Sequence, residues 1–381
     1  MVVKDTTCLV SIIKQLLIIY CRVDSNLLLL YNKVKCHRIM SQDKSIIKLD
    51  AGEEVEAFAP IIVSASRATD IPAFYADWFF NRLKKGYSAW INPFNGVKSF
   101  VSYENTRLIV FWSKNPKPLL KHLPKLKQKN IGTYIQYSLN DYDHEKIEEN
   151  VPNLSYRIDT FKRLVDELGY GKVIWRFDPL ILTDNINEDL LLDKLSKIGD
   201  QLKGYTEKLV FSYADIGVYR KVKTNLDKNG VNYREFDEKS MHYIAKNIQE
   251  LNRNWGYQLG TCCEHIDLSM YDVEHNKCID DELIYKYFQH DDVLMKYIGA
   301  KIVEKTLFKD RYVEFTARPD KGQRNGCHCI KSKDIGQYNT CPHACIYCYA
   351  NTNKEKAISN YKMARNDKHG ELIIPTRTNA K

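Results

Sequence analysis

Between residues 37 and 261 the chain has no cysteine. That gap argues against a disulfide framework, which spreads its bridges through a small fold. No apolar run is long enough to span a bilayer. The stretch LVSIIKQLLIIYCRVDSNLLLLY near the start is broken by Lys14, Arg22 and Asp24. Asp5 and Lys14 also make it a poor signal peptide. No glycine-rich phosphate loop follows the first internal strand, which counts against a doubly wound nucleotide-binding sheet. The chain also lacks an internal repeat and any low-complexity tract.

What it does have is tyrosine, 25 copies in 381 residues, and a core-forming share of apolar residues, 44% against 28% charged. Many of the tyrosines should sit with the ring packed and the hydroxyl paired. The 57 basic and 48 acidic residues leave a formal charge of +9. That surplus suits an anionic partner, nucleic acid included, and equally an ordinary lysine-rich surface. Residues 1–50 are expected to form an amino-terminal extension. Residues 1–39 would lie upstream of a natural start at Met40, because MSQDKSIIKLD resembles a soluble amino terminus.

From residue 61 short β-branched and aromatic runs alternate with helical patterns. Strands are expected at 61–66, 88–92, 108–113, 131–138, 172–179, 208–215 and 257–264, with YVEFTA (312–317) as a further sheet element. Ile71-Pro72 opens a helix that Asp70 can cap. Ile158, Phe161, Val165 and Leu168 share a helix face closed by Gly169, and Met241, Ile244, Ala245, Ile248 and Leu251 mark another. The alternation implies parallel βαβ units and an α/β fold, a TIM-type or partial (β/α) barrel over residues 51–310. Residues 311–381 follow as a cysteine-rich segment.

Ligands of such folds collect at the carboxyl ends of the strands. Polar residues there include Arg67, Asp70, Asn92, Asn95, Lys114, Asn115, Gln136, Ser138, Arg176, Asp178, Ser212, Asp215 and Glu264. Arg67, Asp70, Lys114, Arg176, Asp178 and Glu264 are the candidate catalytic residues. The cations would take an anionic group and the carboxylates hydroxyls or amines. Arg176 and Asp178 share a strand face, as do Cys262 and Glu264, whereas Cys263 should point the other way.

Eight cysteines fall between 262 and 348. That clustering reads as metal binding in a reducing cytosol. Cys341, Cys345 and Cys348 are spaced CxxxCxxC, with Tyr347 before the last. Three thiolates leave one iron of a 4Fe–4S cluster open. That iron could take the amino and carboxylate groups of S-adenosylmethionine, which is then cleaved reductively to give a radical. Zinc is the alternative. His343 could complete either site, although the loop is expected to point it outward. Cys262, Cys278, Cys327 and Cys329 number enough for a second cluster or a zinc ion.

The segments SASRATDIPAFYADWFFNRL, INPFN, FWSKNP, WRFDP, TCCEHIDL with KCID, and CHCIKSKDIGQYNTCPHACIYCYANTN resemble the domain of unknown function 1848 family, over roughly residues 58–365. The resemblance implies that the cysteines at 341, 345 and 348 match a motif similar to the radical S-adenosylmethionine cluster loop. It assigns no reaction. In the broad radical superfamily that loop follows the first barrel strand, so here the tail must fold back over the strand ends. INPFNG stands where a Gly-Gly-Glu-like element would hold the methionine amine. A radical enzyme would need an electron donor such as ferredoxin or flavodoxin. For a nucleic-acid substrate, Lys331, Lys333, Lys354, Lys356 and Lys362 would meet phosphates. The competing functions are a non-catalytic cluster or zinc protein, and a metal-independent enzyme using Asp178, Asp215 and Glu264.

Overall fold

The computed structural model describes residues 44–304, 311–317 and 319–375. Residues 1–43 of the expected extension, with the expected start at Met40, lie outside the described residues. None of the helices among the described residues is long and apolar enough to cross a membrane.

β1 (Lys44–Lys48) and β2 (Glu54–Phe58) pair antiparallel. β3 (Ile62–Ala65) leads into the helices Ile71–Phe74 and Ala76–Lys85. Asp70 caps the first of these by accepting from the amide of Ala73, as the proline in its first turn suggests. β4 (Tyr87–Ile91) and β5 (Lys98–Ser102) form a hairpin across the PFNG turn, and β5 then pairs with β2. The run at 88–92 therefore belongs to this four-stranded side sheet and not to the alternating series. A short turn permits only an antiparallel return, whereas a parallel neighbour needs a crossover.

The main series continues with β6 (Leu108–Ser113), β7 (Gly132–Ser138) and β8 (Val173–Leu180). β9 (Leu182–Thr183) leaves the series to pair with β11 (Tyr233–Arg234), and between them lies β10 (Lys208–Tyr213). β12 (Gln258–Thr261) and β13 (Val273–His275) follow. β14 (Lys301–Val303) and β15 (Tyr312–Glu314) pair only with each other, so the run at 312–317 does not extend the main sheet. The eighth main strand is instead β16 (Lys333–Asp334), which lies parallel beside β3. The result is a mixed α/β fold whose main sheet runs β13-β12-β10-β8-β7-β6-β3-β16, all parallel.

Side chains alternate across this sheet. Ile109, Phe111, Ile135, Tyr137, Val173, Trp175, Phe177, Leu209 and Phe211 lie in one core with Ile158, Phe161 and Ile244 of the helices Leu154–Leu168 and Glu238–Trp255. The opposite parity carries Ser64, Tyr134, Gln136, Arg176 and Ser212, also buried. Tyr134 Oη and Gln136 Nε2 on β7 both donate to the carbonyl of Cys278, at 2.8 and 2.9 Å, just past β13. The segment after β13 thus covers the face of a strand four places away in the sheet.

The helix Glu188–Leu202 shows how tight the helix layer is. A Cβ on Gly199 would lie 2.4 Å from the ring of Trp255, whose Nε1–H is fixed on Asp200 at 2.7 Å. Gly199→Ala would gain about 1 kcal/mol of helix propensity. Overpacking against the fixed indole costs about 1–3 kcal/mol. The net expectation is a small loss of stability, read as a lower melting temperature. A higher one would show that the indole can shift freely.

Candidate metal centre

The sequence CPHACIYC closes into one loop, with Ala344 at φ +57° in its turn. Four anchors hold it. Asn150 donates through Nδ2 to the carbonyl of Pro342 at 2.9 Å, and through its amide to that of His343 at 2.9 Å. Asn351 Nδ2 donates to the carbonyl of Cys341 at 2.8 Å. Cys345 makes a backbone bridge with Glu148. The fourth is His343, which turns inward and is 2% exposed, not outward as the spacing suggests. Its Nε2 lies 2.8 Å from Asp70 Oδ2, and its Nδ1 is 3.4 Å from the carbonyl of Asn150. With both ring nitrogens occupied, His343 is a poor fourth ligand.

Asp70 is therefore a structural hub. Its Oδ1 accepts from Ser113 Oγ at 2.7 Å and the Ala73 amide at 2.9 Å, and its Oδ2 from the Lys114 amide at 2.8 Å. Burial pushes its carboxyl up, but His343, Ser113 and Lys114 outweigh that and hold it below the usual range.

Around the loop, Glu148 Oε1 accepts from Lys114 Nζ at 2.8 Å, from Asn140 Nδ2 at 3.0 Å and from the Tyr347 hydroxyl. Burial raises the Glu148 carboxyl, yet the charges of Lys114 and Arg157 bring it down to about 2. Three donors crowd one oxygen while the buried Oε2 has no partner; Asn351 Oδ1 is bare as well. Polar atoms buried this way are costly unless something meets them.

The three thiols lie close enough to raise one another electrostatically: Cys348 acts on Cys341, and both act on Cys345. Burial pushes all three up. Against that, the backbone amides of His343 and Asp70 lower the Cys341 thiol, and those of Ala350 and Asn351 lower the Cys348 thiol. The Lys114 ammonium lowers Cys345 and Cys348. As they stand, no three His, Cys, Asp or Glu side chains among the described residues form a group that could hold a metal ion.

A hydrogen-bonded path leads away from this loop. Asn140 bridges Glu148 and the amide of Asp178, the latter at 2.9 Å. Asp178 Oδ2 accepts from Arg176, and its Oδ1 accepts from Ser212. Arg176 Nη1 reaches Gln136 Oε1 at 3.1 Å and Cys278 Sγ at 3.2 Å. Lys114, Arg176, Asp70 and Asp178 are thus brought together, but with their charges already paired.

Arg67 differs. Its guanidinium sits 4.9 Å over the Trp112 ring and keeps one buried nitrogen without a partner. Glu264 stands apart from the loop. Its Oε1 accepts from the Tyr213 amide at 3.0 Å, and burial, with the charges of Asp215 and Asp178, pushes its carboxyl up to about 7.

The remaining cysteines form a second group. β12 ends at Thr261, so the strand alternation expected for 262–264 does not apply. Cys263 has φ +61°, and its thiol is raised by that of Cys262 and lowered by that of Cys327. Cys329 lowers the Cys327 thiol, and its own Sγ accepts the amide of Cys278 at 3.1 Å. Cys262 and Cys278 lie 3.6 Å apart, sulfur to sulfur. The Cys262 thiol is lowered by Cys263 but raised by Cys278 and by burial, reaching about 12.

Sequence reasoning missed Glu148 and Asn140, which sit in no motif and gain importance only through long-range contacts. It also turned Cys263 away. Of the tail lysines, Lys333 lies 3.3 Å over the Trp90 ring, with burial pushing its ammonium down to about 8, and Lys354 pairs with Glu149 at 3.0 Å.

A family model described as Domain of unknown function (DUF1848) matches residues 62–350. None of the curated proteins matches the chain.

Proposed function

The chain belongs to the domain of unknown function DUF1848 family, and from that premise we propose that it is an iron–sulfur enzyme of the radical S-adenosylmethionine type. Cys341, Cys345 and Cys348 would hold the cluster. The observation that carries this reading is a loop fixed from four sides whose three buried thiols lie close enough to act on one another electrostatically. Backbone amides near such sulfurs would also tune the potential of an iron–sulfur centre. A polynuclear core also needs no single point of convergence, because each iron takes its own thiolate.

A 4Fe–4S cluster held by Cys341, Cys345 and Cys348 would supply one-electron reduction of S-adenosylmethionine. The chain's own residues would do the rest. Lys114 offsets the negative charge of the thiolates and holds Glu148 ionised. The bare Oε2 of Glu148 suits an ammonium or hydroxyl donor, a part that INPFNG does not offer. Arg67, with an unspent N–H, suits a carboxylate or phosphate. The sequential strand order and the bonds from β7 to Cys278 support reading the main sheet as a partial (β/α) barrel, with the cysteine loop over its strand ends. An anionic substrate would then enter beside Arg67.

The test is anaerobic incubation of reconstituted protein with dithionite and S-adenosylmethionine. The expected result is release of methionine and 5′-deoxyadenosine in step with cluster content. Bound cluster without any cleavage would point to a structural or electron-transfer role instead.

A further inference from the structure

A second cysteine group lies outside the loop at 341–348, and nothing in the proposed reaction uses it. Its five thiols come from three separate segments: Cys262 and Cys263 after β12, Cys278 after β13, and Cys327 with Cys329 before β16. The Cys262 and Cys278 sulfurs are 3.6 Å apart, and Cys329 Sγ accepts the amide of Cys278 at 3.1 Å. A tetrahedral site with metal–sulfur bonds of about 2.3 Å spaces neighbouring sulfurs at roughly 3.8 Å. The observed separation is close to that edge. The thiols do not converge on one point among the described residues, so binding would require rotation about their Cα–Cβ bonds.

Three arginines lie beside these cysteines. Arg176 Nη1 lies on Cys278 Sγ at 3.2 Å. Arg324 holds the carbonyl of Cys262 at 3.2 Å and is anchored by Asp215 at 3.1 Å. Arg67 reaches Cys329 electrostatically. Arg176 and Arg324 are already paired with Asp178 and Asp215, so they offer N–H donors rather than free charge, and a thiolate metal centre, which carries net negative charge, would accept from them.

We propose that Cys262, Cys263, Cys278, Cys327 and Cys329 supply the ligands of a second, thiolate-bound metal centre that ties the segment before β16 to the ends of β12 and β13. It would take zinc or an iron–sulfur core, with four of the five thiols as ligands. Ligation would release protons from the thiols, and no electron transfer is needed to form the zinc version. This inference does not depend on the reading of Cys341, Cys345 and Cys348.

The test uses the full chain carrying C341A, C345A and C348A together. It is purified anaerobically and offered zinc alone, or ferrous iron with sulfide. Retention of about one zinc, or of about four irons, per chain is the expected result, and the metal found tells which centre it is. Metal content no higher than in the same variant with C278A and C329A added would overturn the proposal. So would metal-free protein in which mass spectrometry finds these thiols joined as disulfides. Should the triple variant fail to fold, C278A with C329A in the otherwise unaltered chain decides. Loss of one metal centre's content supports the proposal, and unchanged total metal contradicts it.

Discussion

Cys345→Ala is expected to remove the cluster and take cleavage of S-adenosylmethionine to assay background. Iron should fall by about four per chain. Cys345 is the middle one of the three proposed ligands, and its backbone bridge to Glu148 does not involve the thiol, so the loop itself should survive. Losing one buried sulfur costs a small cavity, on the order of 1 kcal/mol. Losing one of three thiolates removes a ligand that a cluster with an already open iron cannot spare. Iron counts and product release in the same preparation check both halves. A Cys345→Ala protein that keeps its iron and its activity would mean that the cluster, if present, is held elsewhere.

Lys114→Met should destabilise the protein by about 3–5 kcal/mol, the range for breaking a buried ion pair from one side. The Glu148 side chain is 2% exposed and that of Lys114 15%. Without the ammonium, the carboxylate keeps Asn140 and Tyr347 as donors but loses its closest charge. A drop in melting temperature on the order of 10 °C follows. Adding Glu148→Gln should recover most of it, since the buried charge then goes too. Measuring metal-free protein separates this effect from cluster loading. A single variant as stable as the parent would show that Glu148 is not held as an ion there.

The Glu148 shift also fixes a pH sense. A carboxyl lowered to about 2 in the folded chain from 4.5 contributes stability that is present above 4.5 and lost as pH falls toward 2.

Much of the strand series could be read from residues alone. LIVFWS is found as β6 because a β-branched and aromatic run bounded by Arg107 and Lys114-Asn115-Pro116 admits little else. Asp70 was legible as a cap for a similar reason: a carboxylate before Ile71-Pro72 has an obvious amide to hold. β13 and β16 were not legible. VEH and KD have no apolar period, and they become strands only because β12 and β3 offer edges to pair with.

The cysteine loop announced itself by spacing, since ligands of one centre must lie close in sequence or be brought close. Its supports did not. His343 turns inward because Asp70, far away in sequence, waits for it. Glu148 matters only because Lys114, Asn140 and Tyr347 converge on one of its oxygens. Cys263 departs from strand alternation because the strand has ended and its φ is positive. Each of these depends on contacts between distant segments, which periodicity does not encode.

The central claim is an iron at Cys341, Cys345 and Cys348 that is open to a small ligand. Electron paramagnetic resonance of anaerobically reconstituted, dithionite-reduced protein, recorded with and without S-adenosylmethionine, tests it most directly. A 4Fe–4S signal that changes shape when S-adenosylmethionine is added, and that disappears in Cys345→Ala, is the predicted result. A cluster signal indifferent to S-adenosylmethionine, or zinc in place of iron at these cysteines, would contradict it.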